Sequence, residues 1–242
     1  MLRISLLGLV LLFLSPFNTA WAQAPEWSNG LVWYQIFPER FRNGDLTNEP
    51  NKERARGPEG WALSSWTSDW YSRAHWEKQA TPEFYEIVRE RRYGGDIQGV
   101  INQLDYLQDL GIGGIYFNPV FDAQSMHKYD ATYYHHIDRN FGPNPSADIA
   151  QFVKENPANS ATWAWSSADS LFLQLIQHAH KRGIKVIIDG VFNHTGTEFW
   201  AFQHLLKHQE KSPYRHWYSV LSYDDPSTLV NEFDYEGWWG YK

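Results

Sequence analysis

Asp189, Asn193 and His194 fall within six positions of one another and carry the side chains best suited to shared chemistry in this sequence. They close the stretch Lys185-Val-Ile-Ile-Asp-Gly-Val-Phe-Asn-His194, in which a β-branched run gives way to an acid, then to an amide and an imidazole. The acid and the imidazole could hydrogen-bond a substrate. The plainer reading is a strand-end turn satisfied by local polar groups, and spacing alone leaves both open. Val186, Ile187 and Ile188 read as a fully buried strand of a parallel sheet. Asp189 is therefore expected at a strand's carboxyl end, where open α/β sheets and β/α barrels both place their chemistry.

Other constellations are weaker. In Met126-His-Lys-Tyr-Asp130, Tyr129 could stack on a sugar while His127 donates to a hydroxyl; the alternative is a polar loop with a buried tyrosine. Asn43, Asp45, Asn48 and Glu49, with Asp96 further on, offer hard oxygens of the kind calcium takes. The same residue types are also ordinary turn formers. His204 and His208 stand four apart on a predicted helix, but no Glu occupies the H-E-x-x-H place, so they read as a solvated helix face. Asn193-His-Thr195 matches a glycosylation sequon but overlaps the strand-end motif and is set aside.

The elements that must position these groups follow a simple order. Leu31 to Phe37 is a strand candidate stopped by Pro38, and Phe41-Arg-Asn-Gly-Asp45 is a turn. Residues 46–93 show no sustained period and read as a long excursion, since loops this long are usually functional or carry short elements of their own. Ile97, Val100, Ile101 and Leu104 form one helical apolar face, with Asp96 as N-cap and Gly111 as the stop. Ile115-Tyr-Phe117 is the next strand, followed by a second excursion over 121–167. Phe172, Leu175, Ile176 and Ala179 mark another amphipathic helix, ended by Gly183, and the strand 185–188 follows at once. The order βαβαβ implies parallel strands joined by right-handed crossovers. Both excursions leave carboxyl ends of strands, the grammar of a β/α barrel, although a doubly wound sheet shares it. No G-x-G-x-x-G or phosphate loop follows any strand. A helix over about Glu198 to His208 comes next, then aromatic, polar loop through Trp217, Tyr218 and Trp238-Trp239.

Composition narrows the partners. Arg3 followed by the apolar run Ile4 to Leu14 and by Ala20-Trp21-Ala22 reads as a signal peptide over 1–22, too short for the roughly 20 residues of a membrane span. An exported, periplasmic or secreted protein, with no membrane segment after cleavage, is expected. A net charge of −7 disfavours nucleic acid, which demands a basic face. The chain has no cysteine, so no disulfide supports it. Aromatic residues make up 17%, with 13 tryptophans, which suits sugar faces or simply a packed interior.

Taken together, the residues resemble the α-amylase family of glycoside hydrolases. Four segments carry the likeness in family order: Val32-Trp-Tyr-Gln-Ile-Phe-Pro-Glu-Arg-Phe41 with Asn43-Gly-Asp45; Gly94-Gly-Asp-Ile-Gln-Gly99 through Phe117-Asn-Pro-Val120; His127-Lys-Tyr-Asp130 with Ile137-Asp138 and Phe141-Gly142; and Asp189-Gly-Val-Phe-Asn-His194. The wording is nearest to the neopullulanase and cyclomaltodextrinase branch. The resemblance implies an α/β fold, a TIM (β/α)8 barrel acting on α-glucans, of which 23–190 would supply the first three β/α units. Residues 191–242 would begin a small domain inserted after strand three. It implies that Tyr129 stacks on the sugar at the cleavage point, that His127 and His194 bind that sugar, and that Asp189 supports the site. It also implies calcium held by Asn43, Asp45, Asn48, Gly94 and Asp96; Glu49 stands where a shorter Asp or Asn is usual. Relatives in this branch commonly carry an N-terminal β-domain, whereas here the barrel follows the signal peptide directly. The family's nucleophile aspartate, general-acid glutamate and third aspartate follow strands four, five and seven, and none is expected within these 242 residues.

Retaining cleavage needs two carboxylates, one as nucleophile and one as acid and then base. The expectation is therefore the amino-terminal part of an exported retaining hydrolase or transglycosidase of α-1,4 or α-1,6 glucosidic bonds, inactive by itself. The competing expectation is a non-catalytic α-glucan-binding protein or a pseudogene product.

Overall fold

A computed structural model describes residues 24–66 and 69–238. The expected signal peptide, and Trp239 of the terminal aromatic loop, lie outside the described residues. Up to Leu31 the chain forms a unit of its own, in which Glu26–Ser28 makes a 3-10 turn.

From Val32 onward, three short runs of β-branched and aromatic residues become parallel strands. They are β1 (Trp33–Ile36), β2 (Gly114–Phe117) and β5 (Lys185–Ile188), in spatial order β1-β2-β5. Between β1 and β2 lie the short helices α1 (His75–Ala80) and α2 (Phe84–Val88), then α3 (Ile97–Ile101) and α4 (Leu104–Asp109). Between β2 and β5 come the antiparallel hairpin β3 (Phe121–Ala123) and β4 (Ala131–Ile137), then α5 (Pro145–Phe152) and α6 (Ser167–Lys181). After β5 follow α7 (Trp200–His208) and the hairpin β6 (Val220–Ser222) and β7 (Asp234–Tyr235). The register aligns Ile36 with Phe117 and Phe117 with Ile188, so all three strands end at one level.

Helices α3, α4 and α6 cover the sheet because their apolar faces match it. Ile97, Val100, Leu104 and Leu107 are completely buried with Ile115, Phe117, Leu175 and Ala179. The Phe117 and Phe172 rings meet edge-on at 5.8 Å. Each such side chain contributes about 1.5–3 kcal/mol by leaving water. Helix α6 starts where the sequence says it should: Ser166 Oγ accepts from the Asp169 amide at 3.0 Å, and Asp169 Oδ2 accepts from the Ser166 amide at 3.0 Å. This reciprocal pair satisfies two otherwise orphaned donors.

Three expectations need correction. Strand β5 is not fully buried: Val186 is half-buried, and Ile187 and Ile188 remain 38% and 39% exposed. The reason is position, because β5 lies at the sheet's edge and no other strand pairs with its outer side among the described residues. The helix opened by Asp96 is two helices, since the chain turns at Asn102–Gln103 while keeping the same buried face. The two excursions and the aromatic tail hold more order than their lack of period suggested. In residues 46–93, buried charge supplies that order. Arg91 pairs with the Glu77 carboxylate and donates to Trp70 O at 2.8 Å. Arg92 donates to Arg56 O and Gln124 O at 2.7 and 2.8 Å and lies over the Trp61 ring.

Candidate functional site

The flush strand ends form a polar rim. Gln35 of β1 donates to Asn118 Oδ1, just past β2, at 2.7 Å. Asp189 follows β5 directly, its amide bonded to Phe117 O at 2.9 Å. The Tyr129 hydroxyl donates to Asp189 Oδ2 at 3.2 Å across 60 residues of sequence. Tyr116, on β2, faces the same carboxylate. Burial first, and then the Asp189 charge, raise the pKa of both phenols, so both stay protonated donors at neutral pH.

The loop that delivers Tyr129 is held from below by Lys128. This residue adopts a left-handed φ of 63°, uncommon for a residue with a side chain. Its buried ammonium bonds Asp138 Oδ2 at 2.6 Å and Ala123 O at 3.0 Å. With Lys128 turned inward, His127 and Tyr129 on either side are turned toward the rim, their rings 5.7 Å apart. His127 Nδ1 accepts the Tyr129 amide at 3.1 Å, which leaves the neutral ring's proton on Nε2, the donor form. His194 is half-buried and stacks on Trp238 at 5.2 Å, and Asn193 Nδ2 donates to its Nδ1 at 2.7 Å. Its backbone is fixed by the Tyr134 hydroxyl, which donates to Val191 O and His194 O at 2.7 and 2.8 Å. The structure thus joins Tyr129 to Asp189 directly and sets His127 beside them, while His194 is held by the following turn.

The second group of predicted residues forms a tight turn after β1. Asp96 is completely buried. Its Oδ1 accepts from the Gly99 amide at 2.6 Å and the Gly44 amide at 3.1 Å; its Oδ2 accepts from the Asp45 amide at 2.9 Å and from Asn48 Nδ2 at 3.2 Å. Asp45 Oδ1 accepts from the Thr47 amide and hydroxyl at 2.9 and 2.6 Å. Close backbone approach demands glycine here: a Cβ on Gly99 would stand 1.9 Å from Arg42 O. Gly94 has φ +69°, and Asn43 lies against it. Two oxygens in this turn, Asn43 Oδ1 and Asn48 Oδ1, are buried without a hydrogen-bond partner. Among the described residues Asp96 has no side-chain cation paired with it. Orphaned hard oxygens around an uncompensated carboxylate fit a bound hard cation.

Several residues that matter here gave no sign in the sequence. Lys128 and Asp138 pair across a hairpin, as do Asp122 and Arg139, whose Nε bonds Asp122 Oδ1 at 2.6 Å. Glu39, inside the quoted first segment, accepts the Tyr93 and Gly94 amides at 2.6 and 3.1 Å. A lone acid in an apolar run is the signal that could have marked Glu39. The predicted pair His204 and His208 does stack, at 4.2 Å, with His204 Nδ1 also 2.9 Å from Ser212 Oγ.

Comparison with known proteins accounts for this assembly. The alpha amylase catalytic-domain family matches residues 35–158 and 167–242, and the chain belongs to that family. Its β1, β2 and β5 are the opening strands of the family's TIM barrel. It is 36% identical over 200 residues to a cyclomaltodextrinase of Thermoanaerobacter pseudethanolicus, covering 83% of this chain and 26% of the relative. It is 37% identical over 212 residues to neopullulanase 2 of Thermoactinomyces vulgaris, covering 88% and 27%. Among solved structures, the type III pullulan hydrolase from Thermococcus kodakarensis matches with a TM-score of 0.61 and 29% identity, over 88% of this chain and 32% of that one. The chain spans about a quarter of the length of the curated relatives it matches.

Proposed function

We propose that these residues form the substrate floor of an exported α-glucan hydrolase or transglycosidase that acts on α-1,4 or α-1,6 bonds in starch-type glucans or cyclodextrins. The observation that carries this reading is the Tyr129–Asp189 hydrogen bond, which joins the exposed loop to the end of β5 and presents an aromatic ring above an acid. The donor form of His127 suits a sugar hydroxyl, and His194 offers a second imidazole near the same rim. Their roles are binding and orientation. Asp189 holds the tyrosine in place and accepts hydrogen bonds, and no bond-breaking step is assigned to it. Retaining cleavage requires a nucleophile and an acid about 5–5.5 Å apart, and these 242 residues alone release no sugar.

In the same reading the turn after β1 holds calcium through Asn43, Asp45, Asn48, Gly94 and Asp96. The orphaned Asn43 and Asn48 oxygens support this. When bound, the ion supplies charge compensation and fixes the turn; it takes no part in the reaction.

The test uses the purified chain. Maltooligosaccharide should give a saturable change in tryptophan fluorescence, with no reducing sugar formed from starch or cyclodextrin. Absence of saturation sinks the floor, and measurable hydrolysis sinks the assignment of Asp189 as a support. Reading the coding sequence past Lys242 separates an enzyme, marked by an Arg-x-Asp strand-four motif, from a non-catalytic binding protein.

A further inference from the structure

Behind the rim lies a second convergence of donor atoms that the proposed function does not use. Strands β3 and β4 pair Phe121 with Ile137 and Asp122 with Tyr133, so one step on β3 spans four on β4. Tyr134, His135 and His136 form the resulting bulge. In a regular strand, adjacent side chains point to opposite faces; a bulge re-aims them. The His135 and His136 rings consequently lie 4.3 Å apart.

Both imidazoles present Nε2 to one oxygen, Glu155 Oε2, at 3.3 and 2.8 Å. The other oxygen of Glu155 accepts from the Ala164 amide at 3.0 Å and from Gln151 Nε2 at 3.1 Å, which fixes the carboxylate's direction. On the far side of His136, Nδ1 sits 2.8 Å from Oδ2 of Asp169, the acid that also caps α6. The side chains of His135, His136 and Glu155 are only 11%, 2% and 3% exposed. Trp163 stacks over His135 at 4.1 Å. Among the described residues, this is the one group whose three His, Asp or Glu donor atoms lie within 4.8 Å of one another.

We infer that His135 Nε2, His136 Nε2 and Glu155 Oε2 form a binding site for a divalent first-row transition ion, zinc in the first instance. Two imidazoles and one carboxylate are ligands for zinc, whereas calcium takes oxygen alone. Tetrahedral zinc with ligands at about 2.0–2.2 Å sets them roughly 3.3 Å apart, close to the spacing found. Asp169 keeps the remaining proton on Nδ1 of His136 and so frees Nε2, as metal-bound histidines require.

The competing occupant of this position is a proton. Burial lowers the His136 pKa, but the bonds to Asp169 and Glu155 outweigh it and raise the value overall. Zinc binding displaces the Nε2 proton to solvent. The ion would tie the 143–166 excursion to the bulge whose Tyr134 hydroxyl holds Val191 and His194, bracing the rim from behind.

The test titrates the metal-stripped full chain, resupplied with calcium, with zinc and in parallel with cobalt. One zinc per chain is expected, and one cobalt with the strong visible absorption of a four-coordinate site. His135→Asn and Glu155→Gln should each weaken binding more than about tenfold, while His204→Asn, at the competing histidine pair, leaves it unchanged. Zinc binding untouched by the first two variants, or abolished by His204→Asn, overturns the inference. A wild-type chain that takes up no zinc at micromolar concentration overturns it without any variant.

Discussion

Two aspartates follow strands of the same sheet and are used in opposite ways. Asp96, after the β1 turn, is completely buried and accepts from four separate N–H groups. Asp189, after β5, is half-buried and meets two phenols, Tyr129 and Tyr116, beside Gly190 and a Phe192 that is 80% exposed. An ionised carboxylate has about four acceptor positions. Asp96 fills them with its own chain, which fixes the turn. Asp189 leaves acceptor capacity at an open rim, which suits a ligand. Chemically identical groups thus serve stability at one strand end and recognition at the other.

The contrast can be broken most directly at Asp96. Asp96→Ala strands four donors and removes the α3 cap, and should cost roughly 3–5 kcal/mol in urea unfolding; a cost under about 1 kcal/mol would mean the turn is not what holds this end. Calcium comes next. At a hundredfold excess over its dissociation constant a ligand adds about 2.7 kcal/mol, so chelation should lower the melting temperature by roughly 5–10 °C. A melting point indifferent to chelator would remove the ion from the comparison.

At the other end the effects should appear in binding and spare stability. Asp189→Asn is expected to weaken maltooligosaccharide binding about tenfold, or 1.4 kcal/mol, while unfolding shifts by less than about 1 kcal/mol. An unfolding loss as large as that of Asp96→Ala would erase the distinction. Tyr129→Phe is the mildest change, since it removes one hydroxyl and keeps the ring. Affinity should fall by no more than about threefold, because a hydrogen bond contributes about 1 kcal/mol or less here. A loss as severe as for Tyr129→Ala would show that the hydroxyl, and not ring stacking, dominates.

The sequence was legible where one local rule sufficed. Periodicity located α6 and β5, and Asp96 announced itself as a cap. The βαβαβ order required parallel strands, and the quoted motifs carried the family. It was silent where partners are distant. Lys128 finds Asp138 only after a hairpin folds, and His136 finds Asp169 only after an excursion closes. Burial of β5 was overestimated because composition reports a strand's preference, while exposure depends on its neighbours. The short helices α1 and α2 have no period to read, since buried Arg91 and Arg92 organise that loop through carbonyls and a single acid.

The edge position of β5 also sets a pattern in time. The amides of Lys185 and Asp189 bond inward, to Gly113 O and Phe117 O, each at 2.9 Å. In a parallel ladder the direction alternates, so the amides of Val186 and Ile188 point away from β2. Hydrogen exchange along four consecutive residues should therefore alternate between slow and fast, with Val186 and Ile188 losing protection first. Any strand or ligand that later covers this edge would slow those two amides selectively, giving a residue-level clock for its arrival.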